Sequence, residues 1–293
     1  MNLKGRDFLR VDDFSTDELL HVLDFATKLK GDRTPRLAGH TLGLVFAQPS
    51  TRTRISFSVA MAQLGGMPIT LQASEMQLSR GESLGDTARV LSRYVDAIAI
   101  RTLSHAELEE WAEVATIPVI NALTQGEHPC QALADVLTIR DRIGRLEGVK
   151  IGWVGDGTNV LVSLARLASR LGMEVVAACP EGYDPPVGTP LTLVRDPAEA
   201  ARDANVLVTD IWVSLGQEAT KEQRLRDLES YRLDSTLLDL AADGAIAMHC
   251  LPAHPGEEIS ADVLYSENSA IWDEAENRLH VQKALLALVL GAV

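Results

Sequence analysis

Residues Ser50-Thr51-Arg52-Thr53-Arg54 set hydroxyls and guanidinium groups side by side, between an apolar run at 42–46 and a segment of helical period. Downstream, Phe57, Ala60, Met61 and Leu64 recur at i, i+3, i+4 and i+7, and Gly65-Gly66 follow, so a helix opens at this run and stops at the glycines. The first turn of a helix has backbone N–H groups without intrahelical partners and a partial positive charge, and a phosphate can bind there with hydroxyl and guanidinium help. An N-cap followed by surface arginines is the simpler account of the Ser-Thr pair. Against it, like charges crowded at a positive helix terminus repel one another and the dipole, an arrangement that an anion relieves.

Two further clusters follow expected strands. In His128-Pro129-Cys130-Gln131 the proline suits a first helical turn and leaves His128 just outside it, able to donate to a carbonyl oxygen. The Gln131 amide can accept from an N–H₂ group held there. Read by itself, a histidine before a proline is also an ordinary surface residue. The run His249-Cys250-Leu251-Pro252-Ala253-His254 admits a metal reading through His249, Cys250 and His254, with His128 as a fourth group. Adjacent ligands point to opposite sides of an extended chain and no carboxylate partner is in view, so no metal is expected. A nucleophilic Cys250 would need a depressed pKa and a nearby base.

Rigid elements must hold these clusters. A first helix starts at the capping box Ser15 to Glu18, and strands are expected over 42–46, 68–71, 95–100 and 118–120. Helices are expected near 83–93 and 106–115, the second opened by the capping box Ser104 to Glu107. A helix over 130–143 ends at Gly144. A second α/β unit begins with a strand at 150–154, followed by Gly155-Asp156-Gly157-Thr158-Asn159 and a helix with Val160, Leu161, Leu164, Ala168 and Leu171 on one side. Its further strands are expected at 174–178, 206–209, 245–248 and 270–272, with a Gly/Pro-rich loop over 182–190 and a closing helix over 274–290. The pair Gly155-x-Gly157 lacks the third glycine of the dinucleotide fingerprint, and Asn159 takes the turn. In open parallel sheets, ligands bind at the carboxyl ends of the strands, where all three clusters fall.

The chain has 293 residues, 46% hydrophobic and 23% charged, more than one domain of roughly 100–200 residues. Lys+Arg 27 against Asp+Glu 41 gives a net charge of −14, which argues against nucleic acid or an anionic membrane as partner. No stretch approaches the roughly 18 apolar residues of a membrane span, and residues 1–10 lack a signal core. Cys130, Cys179 and Cys250 show no C-x-x-C spacing, so a reducing cytoplasm is expected.

Over essentially its whole length the sequence resembles the aspartate/ornithine carbamoyltransferase family. The residues that carry the resemblance are Ser50 to Arg54, Arg101 after a strand, His128-Pro-Cys-Gln131, Asp210-Ile-Trp-Val-Ser214-Leu-Gly216, His249-Cys-Leu-Pro252 and Glu274-Ala-Glu-Asn-Arg278. The Asp-x-x-x-Ser and His-Cys-Leu-Pro elements are similar to the ornithine branch. The resemblance implies an α/β chain of two doubly wound parallel-sheet domains joined by a helix, with the C-terminal helix packing back on the first. Residues 1–144 with 274–293 would bind carbamoyl phosphate, and 145–273 ornithine. Ser50, Thr51, Arg52 and Thr53 would hold the phosphate, Arg101 would bridge phosphate and carbonyl oxygen, and His128 and Gln131 would orient the carbamoyl group. Asn159 and the Ser214-Leu215 backbone would take the α-carboxylate region of ornithine, and Asp210 its α-ammonium. Leu251 and Arg278 would contact the carbamoyl end, with Cys250 near the attacking amine. Gln77 aligns with a residue that relatives insert into a neighbouring subunit's site, which implies a homotrimer, or a multiple of trimers, with shared active sites.

The implied reaction is attack of the neutral δ-amine on the carbamoyl carbon, giving citrulline and phosphate without metal or organic cofactor; arginine biosynthesis and arginine breakdown would use the same site. The amine must lose a proton from a pKa of roughly 10.4, so activity should rise with pH. The chain departs from the family at Leu215 for a usual Met, Thr158 for a frequent Asn, and Pro255 for a frequent Arg. Competing readings are a carbamoyltransferase for putrescine or an acylated ornithine, and a non-catalytic carbamoyl-phosphate or nucleotide binder.

Overall fold

The computed structural model describes residues 2–214 and 216–292. They form two compact units, Met1–Ala134 with Asn277–Val293, and Asp135–Glu276. The first unit runs α1 (Thr16–Lys28), β1 (Thr41–Phe46), α2 (Thr51–Gln63), β2 (Met67–Gln72), α3 (Leu84–Leu91), β3 (Ala97–Arg101), α4 (His105–Val114) and β4 (Val119–Leu123), and then enters α5 (Pro129–Ile143). Its strands are parallel in the order β2-β1-β3-β4. Residues 42–46 and 97–100 are buried throughout, the continuous apolar run of a strand covered on both faces. Register places Phe46 opposite Arg101 and Arg101 opposite Leu123, so the carboxyl ends of β1, β3 and β4 lie side by side. The chain leaves β1 for β2 on one side and continues to β3 and β4 on the other. The switch point between β1 and β3 is where such sheets bind ligands.

The second unit contains β5 (Lys150–Val154), α6 (Asn159–Arg170), β6 (Glu174–Ala178), β7 (Thr192–Val194), α7 (Pro197–Ala201), β8 (Val206–Thr209), α8 (Lys221–Leu228), α9 (Ser235–Leu238), β9 (Ile246–His249) and α10 (Ala261–Leu264). Its parallel order is β7-β6-β5-β8-β9, with the switch point between β5 and β8. The last helix, α11 (Ile271–Val289), begins in this unit and ends in the first. In the first unit the Lys283 ammonium, almost fully buried, donates to Leu29 O at 3.2 Å and Gln63 Oε1 at 3.1 Å, tying α11 to the ends of α1 and α2. Gly5 N donates to Val289 O at 2.8 Å.

The expected strand at 270–272 is corrected: Ser269 makes a single bridge to Ala247, and the helix begins at Ile271. Ala270 and Ile271 are buried because they open a helix against the core, and a short apolar run does not distinguish that from a strand. The edge strand β7 and the polar helix α8 were not anticipated. β7 has only three residues, and α8 buries only Leu228, so neither shows a hydrophobic period.

Candidate active site

In the first unit the hydroxyl-arginine run lies where β1 gives way to α2. Ser50 is extended at φ −155° and ψ 115° and caps the helix, its Oγ accepting from Thr53 N at 3.3 Å. No acidic residue lies in the first turn, so that turn itself sets no carboxylate against its N–H groups. Thr53 is fully buried, and its Oγ1 accepts from Arg278 Nη2 on α11 at 2.8 Å. Arg101 ends β3, its carbonyl accepting from Ala47 N at 2.9 Å. His128 immediately precedes α5, and its carbonyl accepts from Gln131 N at 3.0 Å. Both His128 and Gln131 are buried, so the surface-residue account of His128 fails. Burial pushes the His128 imidazole well below its usual range, and the charges of Arg278, Arg101 and Arg52 push it further the same way. A neutral imidazole that can donate one N–H therefore sits among guanidinium groups from α2, β3 and α11. In a chain of net charge −14 this concentration of positive charge suits a small anion.

In the second unit Asp210 follows β8 and is almost fully buried. Its Oδ2 accepts from Thr158 Oγ1 at 2.9 Å, and its Oδ1 accepts from Ile211 N at 2.8 Å and Cys250 Sγ at 3.1 Å. Thr158 also caps α6, accepting from Val160 N at 3.3 Å, and Asn159 is the first residue of that helix. Burial raises the Cys250 thiol well above its usual range, and the carboxylates of Asp210 and Glu274 raise it further. The thiol stays protonated, which suits it to orient Asp210 rather than to act as nucleophile or base. Next to it, Leu251 adopts φ +60°, a left-handed conformation uncommon outside glycine and concentrated at functional sites. The fully buried His249 ring holds this turn: its Nδ1 accepts from Leu251 N at 2.8 Å, and its Nε2 pairs with Glu258 Oε1 at 3.0 Å.

The side-chain ligand atoms of Asp210, His249 and Cys250 lie within 4.8 Å of one another, as do those of His254, Glu257 and Glu258. The carboxylates that looked absent beside His249 are thus supplied by the fold. Both His249 nitrogens are nonetheless engaged, which leaves that ring no lone pair for a metal. Gly157 has a packing reason, since a Cβ there would stand 2.4 Å from Pro185 N. Gly157 therefore needs no dinucleotide to explain it.

Ser50, Thr51, Arg52, Thr53, Arg101, His128, Gln131 and Arg278 belong to the first unit, and Asn159, Asp210, Ser214, Cys250 and Leu251 to the second. Gln77 lies exposed at the start of a short 3-10 turn, Gln77–Arg80. Ser214 N donates to Gln217 Oε1 at 2.9 Å, while Leu215 lies outside the described residues. Sequence reasoning missed Thr158 as a partner of Asp210 and Glu258 as the anchor of His249. Thr158 announces itself only as a cap, and Glu258 stands nine positions beyond His249 with no helical or strand period joining them.

Comparison with known proteins converges on one family. Residues 6–141 match the carbamoyl-P binding domain of aspartate/ornithine carbamoyltransferase, and residues 147–289 match its Asp/Orn binding domain. The ornithine carbamoyltransferase of Carboxydothermus hydrogenoformans is 50% identical over 306 residues, covering 98% of each chain. The anabolic ornithine carbamoyltransferase of Pyrococcus furiosus is 47% identical, covering 100% of this chain and 99% of its own. A solved structure of an ornithine carbamoyltransferase from Pyrococcus furiosus superposes with a TM-score of 0.96 at 47% identity, covering 100% of this chain and 99% of that one.

Proposed function

Because this chain belongs to the aspartate/ornithine carbamoyltransferase family, we propose that it transfers the carbamoyl group of carbamoyl phosphate to the δ-amine of L-ornithine, giving L-citrulline and phosphate. The observation that carries this reading is the neutral, buried His128 among Arg52, Arg101 and Arg278, beside the capped N-terminus of α2. Relatives about 50% identical over the whole chain are named for the same reaction.

Each group then has a physical task. The first-turn N–H groups of α2, with Ser50, Thr51 and Arg52, bind the phosphate. Arg101, Thr53 and His128 surround the carbonyl oxygen, on which negative charge grows as the amine attacks; losing one such donor typically costs about 10²–10³ in rate. Gln131 accepts from the carbamoyl N–H₂, and Leu251 and Arg278 complete that end. Asp210 pairs with the α-ammonium of ornithine, and Asn159 with the backbone at Ser214-Leu215 takes the carboxylate. One proton leaves the ornithine ammonium for solvent before attack. A C–N bond then forms, the C–O bond to phosphate breaks, and the second amine proton leaves with hydrogen phosphate. Cys250 serves this step by holding Asp210 in place.

The enzyme works as a homotrimer or a multiple of trimers, with Gln77 completing a neighbour's site. Exposed apolar side chains on α2 (Ile55, Val59) and on the edge strand β2 (Met67, Ile69) support an assembly through the first unit. The relative named anabolic supports a place in arginine biosynthesis. Free cysteines, and the lack of any helix among the described residues long and apolar enough to cross a membrane, support a cytoplasmic setting. The test is citrulline formation from carbamoyl phosphate and ornithine, with putrescine in place of ornithine as the comparison. Faster carbamoylation of putrescine at equal concentration would overturn the choice of acceptor.

A further inference from the structure

Arg224 lies on α8, which the reaction as described does not use. Its side chain is nevertheless largely buried, with 12% exposure, and so is that of Asp156, at 16%. Arg224 Nε donates to Trp212 O at 2.5 Å, and its Nη2 forms an ion pair with Asp156, which lies just past β5. The guanidinium also stacks over the Tyr183 ring at 4.9 Å, and Tyr183 OH donates back to Asp227 Oδ2 on α8 at 2.8 Å. Trp212 is the middle residue of the Asp210 to Ser214 segment and is buried itself. A Cβ on Gly155 would stand 3.6 Å from its indole nitrogen. The guanidinium therefore clamps the acceptor-binding segment by its backbone and ties it to the end of β5, one strand from Asp210.

Building on the acceptor assignment above, we propose that Arg224 is a positioning residue for the amino-acid substrate: it fixes the Asp210–Ser214 backbone through Trp212 O and thereby sets the affinity for ornithine. A buried ion pair of this kind is weak evidence for stability, because desolvation offsets most of the attraction. Burial does dominate at Asp156, raising its carboxyl despite the nearby guanidinium. What the fork supplies is geometry. One nitrogen holds the loop carbonyl while another holds a carboxylate on a different strand end, and a lysine ammonium on a flexible stem cannot reproduce that planar fork.

The test compares Arg224→Lys and Arg224→Ala with the wild-type chain by steady-state citrulline formation and by thermal unfolding. Arg224→Lys keeps the charge opposite Asp156 and so keeps the fold. Its KM for ornithine should rise by about tenfold, with kcat at saturating ornithine and the KM for carbamoyl phosphate each changed by less than about threefold. Arg224→Ala should raise the ornithine KM further; if that variant unfolds, Arg224→Lys decides. A folded Arg224→Lys whose ornithine KM stays at the wild-type value, or whose two KM values rise together, overturns the proposal. Wild-type chain that forms no citrulline defeats the acceptor assignment itself, whereas active wild type with an unaltered variant defeats only the role of Arg224.

Discussion

His128 shows how much of the site's chemistry comes from surroundings rather than from residue type. Burial and three guanidinium groups hold it neutral, so it can donate to a carbonyl oxygen without adding a further positive charge. Its neighbours were legible in the sequence as residue types at the ends of strands, but the Arg278 to Thr53 contact was not, since it joins residues 225 positions apart. Cys250 is the opposite case. The sequence offers it as a reactive thiol, and the structure keeps it protonated, first by burial and then by the nearby carboxylates of Asp210 and Glu274. Asp210 is the proposed charged anchor of the acceptor. Asp210→Ala should raise the KM for ornithine about 10- to 100-fold, the loss of one hydrogen bond to a charged group, with carbamoyl-phosphate affinity unchanged within about twofold. Titration of carbamoyl phosphate into the variant checks this, and loss of both affinities would refute the division of substrates between the units.

At the scale of elements, the helix that opens at Ser50 was readable because cap, apolar period and terminal glycines all agree. Cap and ligand roles of Ser50 can be separated. Ser50→Ala should lower the unfolding free energy by about 1 kcal/mol, whereas Ser50→Gly should cost only a few tenths, because glycine tolerates the cap conformation. Both should weaken carbamoyl phosphate alike, since both lack the hydroxyl; recovery of affinity in the glycine variant would reduce Ser50 to a cap. Denaturant unfolding beside ligand titration reads the two effects. Elements without such agreement are misread or missed in the sequence. The 270–272 run is apolar for the same reason a strand would be, and α8 is too polar to show a period, though it carries Arg224.

Across the whole molecule, each sheet sets candidate residues beside a switch point of strand order: Ser50 after β1 and Arg101 at the end of β3 in one unit, Asn159 after β5 and Asp210 after β8 in the other. A parallel α/β class follows from the alternating strand and helix patterns, and the doubly wound order from the family resemblance, while the long-range hydrogen bonds are legible in neither. Assembly is a whole-molecule property too. Sedimentation should give three times the mass of one chain or a multiple of that, and a monomer with full activity would contradict a shared site. The central claim, that the arginine-lined end of the first sheet activates carbamoyl phosphate toward ornithine, is tested most directly by steady-state citrulline formation in wild type and Arg101→Ala. Wild type should turn over, and the folded variant should lose about 10²–10³ in kcat. Near-normal turnover by Arg101→Ala, or none by wild type, would contradict the account.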